Sequence, residues 1–421
     1  MTGQPSDVPA LKAALIAAWN RSDELFAMLA DGALMDRPIG LRHPFVFYLG
    51  HLPAFMWNQV GGLAGIERFA PDFDSLFERG IDPLSQEGAD AATIASWPEL
   101  PEIEAYKERV RAWILEDSFT AVDGITDDVL AEQFRIHHIA LEHELMHHET
   151  LLYMLQELPI ERKVQGALPS AVTGEAHGVS EPIAIPAGRT VLGGDFDRQF
   201  GWDNEFPAQT VDVDGFTIDS LPVTVAEYRA YVAQTGAPRP HTWVETPDGL
   251  CVRSMFALVP IDDVGGWPVQ VSHAEATAYA TWRGGRLATE AELQHAAFGG
   301  PDGMRTWPWG EAPPTSEHGV FDYDQWSPGP VGAHPAGASA FGVQELVGNG
   351  WEWTSTPFRP LPGFVAYART YPGYSADFFD DAHYVVVGGS WATDARLLRR
   401  SFRNWYQGHY PYVFSSFRVA R

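Results

Sequence analysis

Cysteine is almost absent: the 421 residues contain one, Cys251. A single thiol cannot form an internal disulfide, and it excludes every multi-cysteine metal site. Basic residues are scarce as well. Lys and Arg number 28 against 55 Asp and Glu, a formal net charge of −27. Binding to a phosphate backbone draws on clustered cations, so no nucleic-acid partner is expected. An anionic lipid surface would repel such a chain, and no membrane partner is expected either. No run of about 18 apolar residues occurs. The opening MTGQPSDVPALKAALIAAWN lacks a basic stretch followed by a cleavage site. A soluble, cytoplasmic protein is the expectation. Internal repeats and low-complexity tracts are missing too.

What is present has two textures. Residues 1–163 read as helical. Leu11, Ala14, Leu15, Ala18 and Trp19 recur at helical spacing, with Leu25, Met28 and Leu29 continuing the stripe. A second helix is expected over Phe45 to Val60 behind Pro44, a third over Glu102 to Leu115, and the longest over roughly Asp127 to Leu158, with Thr126 and Asp127 as its polar start. Four such helices with few strands imply a bundle, whose core is a usual place for a metal. Residues 164–182, VQGALPSAVTGEAHGVSEP, are small, polar and turn-forming and read as a linker. From 183 to 421 short strand-like pieces (IAIPAGRTVLGG, FTIDSLPVT, VVVGGSW, FSSFRVAR) alternate with Gly, Pro and aromatics, and two helical segments, Val225 to Gln234 and Ala274 to Trp282, interrupt them. This half reads as an α+β domain with much irregular backbone, the kind that displays loops around a pocket.

The sharpest local feature is RIHHIALEHELMHHETLL, residues 135–152. A helix turns about 100° per residue, so His143 and His147 stack on one face and can share a divalent ion. His51, in FYLGHLPAF, is the best candidate for a third imidazole. Ordinary surface histidines are the bland alternative. HELMH also has the form H-E-x-x-H, which would make Glu144 a general base, although the usual third ligand of zinc proteases is missing nearby. Glu149 lies two residues past His147, about 200° around the helix, so a site of two histidines and this carboxylate is geometrically disfavoured. His137, His138 and His148 point off the His143–His147 face.

These residues resemble a known family. His51 in a helix, followed by HELMHHE at 143–149, is similar to the DinB-like domain of the ergothioneine-type sulfoxide synthases (EgtB and relatives). The resemblance implies a four-helix bundle in which His51, His143 and His147 hold non-haem iron(II), with O2 as co-substrate. GGRLATEAELQHAA (284–297), WPWGE (307–311), ELVGNGWEWT (345–354), VVGGSW (386–391) and SFRNW (401–405) resemble the formylglycine-generating-enzyme-like, C-type-lectin-like domain that follows the bundle in those synthases. Formylglycine generation itself needs a cysteine pair, which this chain lacks.

The resemblance further implies hercynine, the Nα-trimethyl betaine of histidine, as the acceptor whose imidazole C2 is coupled. Tyr374, in PGYSADFF, matches the tyrosine that supplies a proton or hydrogen atom, although an ordinary buried tyrosine would look the same. Asn404 and Trp405 match contacts to the betaine, whose quaternary ammonium aromatic faces attract. Arg418 is a candidate for a substrate carboxylate, or else closes an ion pair inside its own domain. Relatives that take γ-glutamylcysteine carry an Asp directly after the RNW tripeptide and an Arg four residues later. Here those positions are Tyr406 and Tyr410, two neutral phenols better suited to a sugar. Met146 replaces a polar residue between the two helical histidines. These departures, with RHPFVFYLGHLPAF, fit the selenoneine synthase branch, which joins hercynine to the selenosugar 1-seleno-β-D-glucose. A thiol donor other than γ-glutamylcysteine, giving a C–S bond, is the alternative.

Overall fold

A computed structural model describes residues 7–78, 85–91, 94, 96–126, 128–166, 172–301, 303–367 and 373–421. Asp127 and residues 167–171 of the expected linker lie outside them. The chain forms two compact units, the first built on the described residues up to Gly166 together with Tyr367, the second on those from 172 to Ala366 and from Gly373 to Arg421. Among the described residues no helix is long and apolar enough to cross a membrane.

The first unit is helical: α1 (Val8–Phe26), α2 (Phe45–Met56), α3 (Pro71–Leu76), α4 (Gln86–Ala91), α5 (Leu100–Trp113), α6 (Phe119–Asp123) and α7 (Arg135–Glu157). Asp7 opens α1, its carboxylate accepting the Ala10 N–H at 3.3 Å. The expected stripe of Leu11, Ala14, Leu15, Ala18 and Trp19 is buried along it. Every residue of α2 is buried, which makes α2 the central rod, and an all-round apolar helix can sit nowhere else. The two elements that matter most, α2 and α7, pack on each other; α7 also packs on α1, and α2 on α5. The last helix starts later than its sequence predicts. Gln133 and Phe134 take left-handed φ values of 53° and 55°, a conformation no helix can contain, so α7 begins at Arg135 rather than near Thr126.

Burial sets a pH dependence here. His137 is fully buried, its ring stacks on Phe119 at 4.0 Å, and its Nε2 lies 2.9 Å from Ser118 Oγ. Burial pushes its pKa down from 6.5 to about 3. Below 6.5 the unfolded chain takes up a proton that the folded chain refuses, so stability falls as pH drops through that window and is unaffected above it. We expect His137→Gln to flatten the loss between pH 6.5 and 5 by about 2 kcal/mol, at roughly 1.4 kcal/mol per pH unit. Urea midpoints of the two full-length proteins at pH 7, 6 and 5 check this; parallel curves would contradict it.

The second unit contains β1 (Pro182–Ile185), β2 (Gly188–Leu192), β3 (Gln209–Val213), β4 (Phe216–Asp219), α8 (Val225–Thr235), β5 (Trp243–Thr246), β6 (Gly249–Arg253), β7 (Leu258–Pro260), α9 (His273–Trp282), α10 (Glu290–Phe298), β8 (Trp351–Pro357), α11 (Gly373–Ala376), β9 (His383–Val387), β10 (Asn404–Gln407) and β11 (Ser415–Ser416). The largest described sheet has the order β10-β9-β8-β11. Strand β11 runs parallel to β8, and the other neighbours are antiparallel. Helices α8, α9 and α10 all open with the same device. A Thr or Ser hydroxyl accepts the amide three residues on, and the Glu there accepts the amide of the cap: Thr224 with Glu227, Ser272 with Glu275, Thr289 with Glu292. The core packs Leu293, Ala296 and Ala297 of α10 against Ile185, Ile218, Val343 and Leu346.

Of the two readings of Arg418, the ion pair inside its own domain is the one the structure shows. Its side chain is 1% exposed. It pairs with Glu352 of β8 and donates to the carbonyls of Asp219, Ser220, Gln344 and Glu345 at 2.9–3.3 Å. Those bonds occupy its fork of donors, so Arg418 is a tie between strand and loops, with nothing left for a substrate carboxylate.

Candidate metal centre

Three imidazoles meet inside the helical unit. His143 and His147, one turn apart on α7, bring their Nε2 atoms to 3.2 Å. The His51 ring, on α2, has its centroid 5.0 Å from each of theirs. One ligating nitrogen from each lies within 4.8 Å of the others, the one such cluster among the described residues. The centre exists because the buried rod α2 packs beside α7 and presents a histidine to its two-histidine face.

Their surroundings keep the rings neutral. His51 and His143 are buried and His147 partly so. Burial lowers the His51 pKa to about 4, against a hydrogen bond to the Phe77 carbonyl that raises it. Burial first, then neighbouring imidazoles, holds His143 and His147 well below the usual 6.5. A neutral imidazole is the ligating form. His51 Nδ1 donates to Phe77 O at 2.7 Å, which fixes the tautomer and leaves Nε2 with a free lone pair. Phe55 stacks on His143 and Phe47 on His51, locking both ring planes. Buried nitrogens converging this closely, with no carboxylate among them, suit a borderline divalent cation such as iron(II) or zinc, and three ligands leave positions open for substrates.

Glu144 is not part of this face. It is 1% exposed and accepts a hydrogen bond from Ser22 Oγ of α1, whose oxygen also lies 2.9 Å from His148 Nε2. Burial pushes the Glu144 carboxyl up to about 7. The H-E-x-x-H reading therefore fails on direction: this carboxyl faces the α1–α7 seam. Glu149 is buried and outside the three-histidine cluster. Met146 sits partly buried on α7 beside His147.

Phe77 and Gly50 escaped the sequence reading. Phe77 is fully buried. Its ring packs so closely on α2 that a Cβ at Gly50 would lie 2.6 Å from it. Asp74, one turn earlier on α3, anchors the segment, accepting from Tyr106 OH at 2.7 Å and, through its carbonyl, from Asn58 Nδ2 at 3.0 Å. No local pattern signals a carbonyl supplied from 26 residues away. We expect Gly50→Ala to push Phe77 aside, free His51 to rotate and weaken metal affinity by about 10–100-fold. Calorimetric titration of the metal-free protein with cobalt(II) would measure it; unchanged affinity would show that the Phe77 carbonyl is not orienting the ring.

In the second unit the other candidates gather at β10, an edge strand. Strand alternation separates them: Asn404 and Tyr406 share one face and Trp405 takes the other. Trp405 stacks on Phe358 at 4.1 Å and meets the Tyr374 ring edge-on at 5.3 Å. Asn404 Oδ1 accepts the Trp405 N–H at 2.9 Å, and its Nδ2 lies 3.3 Å from Tyr406 OH. Tyr410 is 1% exposed, its ring parallel to that of Tyr406 with centroids 6.2 Å apart. Among the described contacts of Tyr406 and Tyr410 the rings are aromatic neighbours, with Tyr412 edge-on to Tyr410 at 4.9 Å.

Comparison with known proteins agrees with this division. Residues 169–421 match the sulfatase-modifying factor enzyme 1-like domain family. Hercynine oxygenase of Mycolicibacterium smegmatis is 36% identical, over 83% of this chain and 84% of its own length. The chain belongs to the hercynine oxygenase family. A second hercynine oxygenase, of Mycolicibacterium thermoresistibile, is 34% identical across 96% of this chain and 93% of its own. Ergothioneine biosynthesis protein 1 of Neurospora crassa is 31% identical; the match spans 94% of this chain but 55% of that protein. Matches of this extent run through both units, so the three histidines and the β10 aromatics lie in one hercynine oxygenase-type chain.

Proposed function

We propose that the protein is an iron(II)- and O2-dependent enzyme that forms a C–Se bond between imidazole C2 of hercynine and 1-seleno-β-D-glucose. The observation that carries the metal and hercynine part of this reading is the convergence of His51, His143 and His147 in a chain of the hercynine oxygenase family. Bound there, iron(II) supplies the O2 chemistry that an unactivated imidazole carbon requires. The three imidazoles hold it in their neutral form, and the Phe77 carbonyl keeps His51 turned the right way. Tyr374 holds a transferable proton or hydrogen atom on its phenol oxygen. The half-buried Trp405 offers an aromatic surface to the trimethylammonium group.

For the donor, support comes from Tyr406 and Tyr410. Stacked rings with hydroxyls suit the face and rim of a pyranose, whereas the amine and carboxylates of a dipeptide call for charged partners. A second reading, C–S bond formation with a thiol, is favoured by the relatives, which are named for hercynine oxygenation and ergothioneine biosynthesis. Protein prepared without oxygen, loaded with iron(II) and given hercynine, selenoglucose and O2 is expected to yield a hercynine–selenosugar adduct carrying the selenium isotope pattern. Turnover of thiols with no selenium product would favour the second reading. Zinc as the tightly held metal, without turnover, would overturn both.

A further inference from the structure

Tyr374 sits on α11, a helix of four residues, too short to hold a side chain in one direction by its own hydrogen bonds. Something else must do so. The indole of Trp202 lies almost parallel to the phenol ring, centroids 4.0 Å apart and planes 23° apart, while Trp405 meets the same ring edge-on at 5.3 Å. The next residue of α11 is tied down as well. Ser375 Oγ, fully buried, donates to the Asp203 carboxylate and accepts from Asn204 Nδ2 at 3.1 Å. Trp202, Asp203 and Asn204 are consecutive, in the segment GWDNE.

That segment is itself braced. The Trp202 N–H donates to Glu205 Oε1 at 2.8 Å. Glu205, fully buried, is paired with Arg399 and accepts from Ser401 Oγ at 2.7 Å. Arg403 donates to the Asn204 carbonyl at 3.2 Å. The 202–205 turn is thus nailed to the chain around residues 399–403 at one end and grips α11 at the other. Trp202 and Asp203 are 2% and 1% exposed, and their described contacts run to Tyr374 and Ser375 of α11 and to Glu205.

We propose that the Trp202–Glu205 turn is the positioning element for Tyr374: stacking by Trp202 and the Asp203–Ser375 hydrogen bond set the direction of its phenol hydroxyl. This rests on the reading of Tyr374 as the proton or hydrogen-atom source. Misplacing such a group by about 1 Å costs on the order of 100-fold in rate. Trp202 and Asp203 are positioning residues; they act through Tyr374.

The test measures partition. With hercynine, selenoglucose and O2, the ratio of coupled product to oxidised donor is measured for the iron-loaded wild type, Tyr374→Phe, Trp202→Leu, Trp202→Phe and Ser375→Ala. We expect Tyr374→Phe to divert turnover to donor oxidation. Trp202→Leu is expected to move the ratio at least about 10-fold in the same direction, with KM for hercynine within about twofold and iron content unchanged. Trp202→Phe, which keeps a stacking ring, is expected to recover most of it. A wild-type ratio in Trp202→Leu alongside a diverted Tyr374→Phe overturns the positioning role alone. A wild-type ratio in Tyr374→Phe overturns the reading beneath it. Should Trp202→Leu not fold, Ser375→Ala, which removes one hydroxyl, decides: a shifted ratio supports the proposal and an unshifted one sinks it.

Discussion

His51→Ala, His143→Ala and His147→Ala are each expected to abolish iron loading and coupling, while His148→Gln keeps both. Disturbing a group that merely orients a metal ligand costs about 10–100-fold in affinity, and losing one of only three ligands must exceed that. Protein purified without oxygen from the alanine variants should hold less than about a tenth of the wild-type iron. His148 makes the comparison sharp. It is as deeply buried as the ligands and adjacent to His147, yet its Nε2 faces Ser22 at 2.9 Å. Its replacement is expected to lower stability by about 1–3 kcal/mol, the cost of an unmet buried hydrogen bond, and to spare the iron. Full iron in all three alanine variants would show that the cluster is a packing arrangement.

That contrast also shows what was legible. The His143–His147 pair follows from helical spacing, which the backbone obeys regardless of context. The exclusion of Glu149 rests on the same rotation, and the rotation of Glu144 towards α1 could have been read from it too. His51 is different: its place in an apolar helix makes it a candidate, yet nothing in its own neighbourhood says that α2 packs on α7, and the resemblance to the synthases points to the same residue. Phe77 was beyond reach because its contribution is a backbone carbonyl, which has no residue type. The late start of α7 was hidden for a similar reason, since Gln133 and Phe134 are not residues that announce a left-handed backbone.

In the second unit the local cues are uneven. The Thr289–Glu292 box was visible and marks α10, while β3, β5, β6, β7, β8 and β10 lie in stretches where aromatics and turns blur the two-residue period. Arg418 could be read either way from sequence, because an arginine looks the same whether it meets a substrate or Glu352. Only its burial and its full set of partners decide. The split of Asn404 and Tyr406 from Trp405 follows from strand alternation once β10 is known to be a strand.

Donor choice should show the widest separation of rates. The wild-type enzyme is expected to use selenoglucose with a kcat/KM at least about 1000-fold above that for γ-glutamylcysteine. A desolvated charge left without its partner costs about 2–5 kcal/mol, and the dipeptide would bring an ammonium and two carboxylates to Tyr406 and Tyr410, which offer phenols. Tyr410 is 1% exposed, so water cannot stand in for the missing partner. Restoring the charges separately should fail, because Tyr410→Arg alone buries an unpaired cation. The double replacement of Tyr406 by Asp and Tyr410 by Arg places opposite charges where rings now lie 6.2 Å apart, close enough to support one another in the absence of substrate. It is expected to raise dipeptide use by at least about 10-fold and to lower selenosugar use by a similar factor, on the scale of one recovered ion pair. Thioglucose separates the sugar from the element: if the phenols read the pyranose, thioglucose competes with selenoglucose in the wild type and loses that ability in the double variant. Efficient use of γ-glutamylcysteine by the wild-type enzyme would mean that Tyr406 and Tyr410 do not choose the donor.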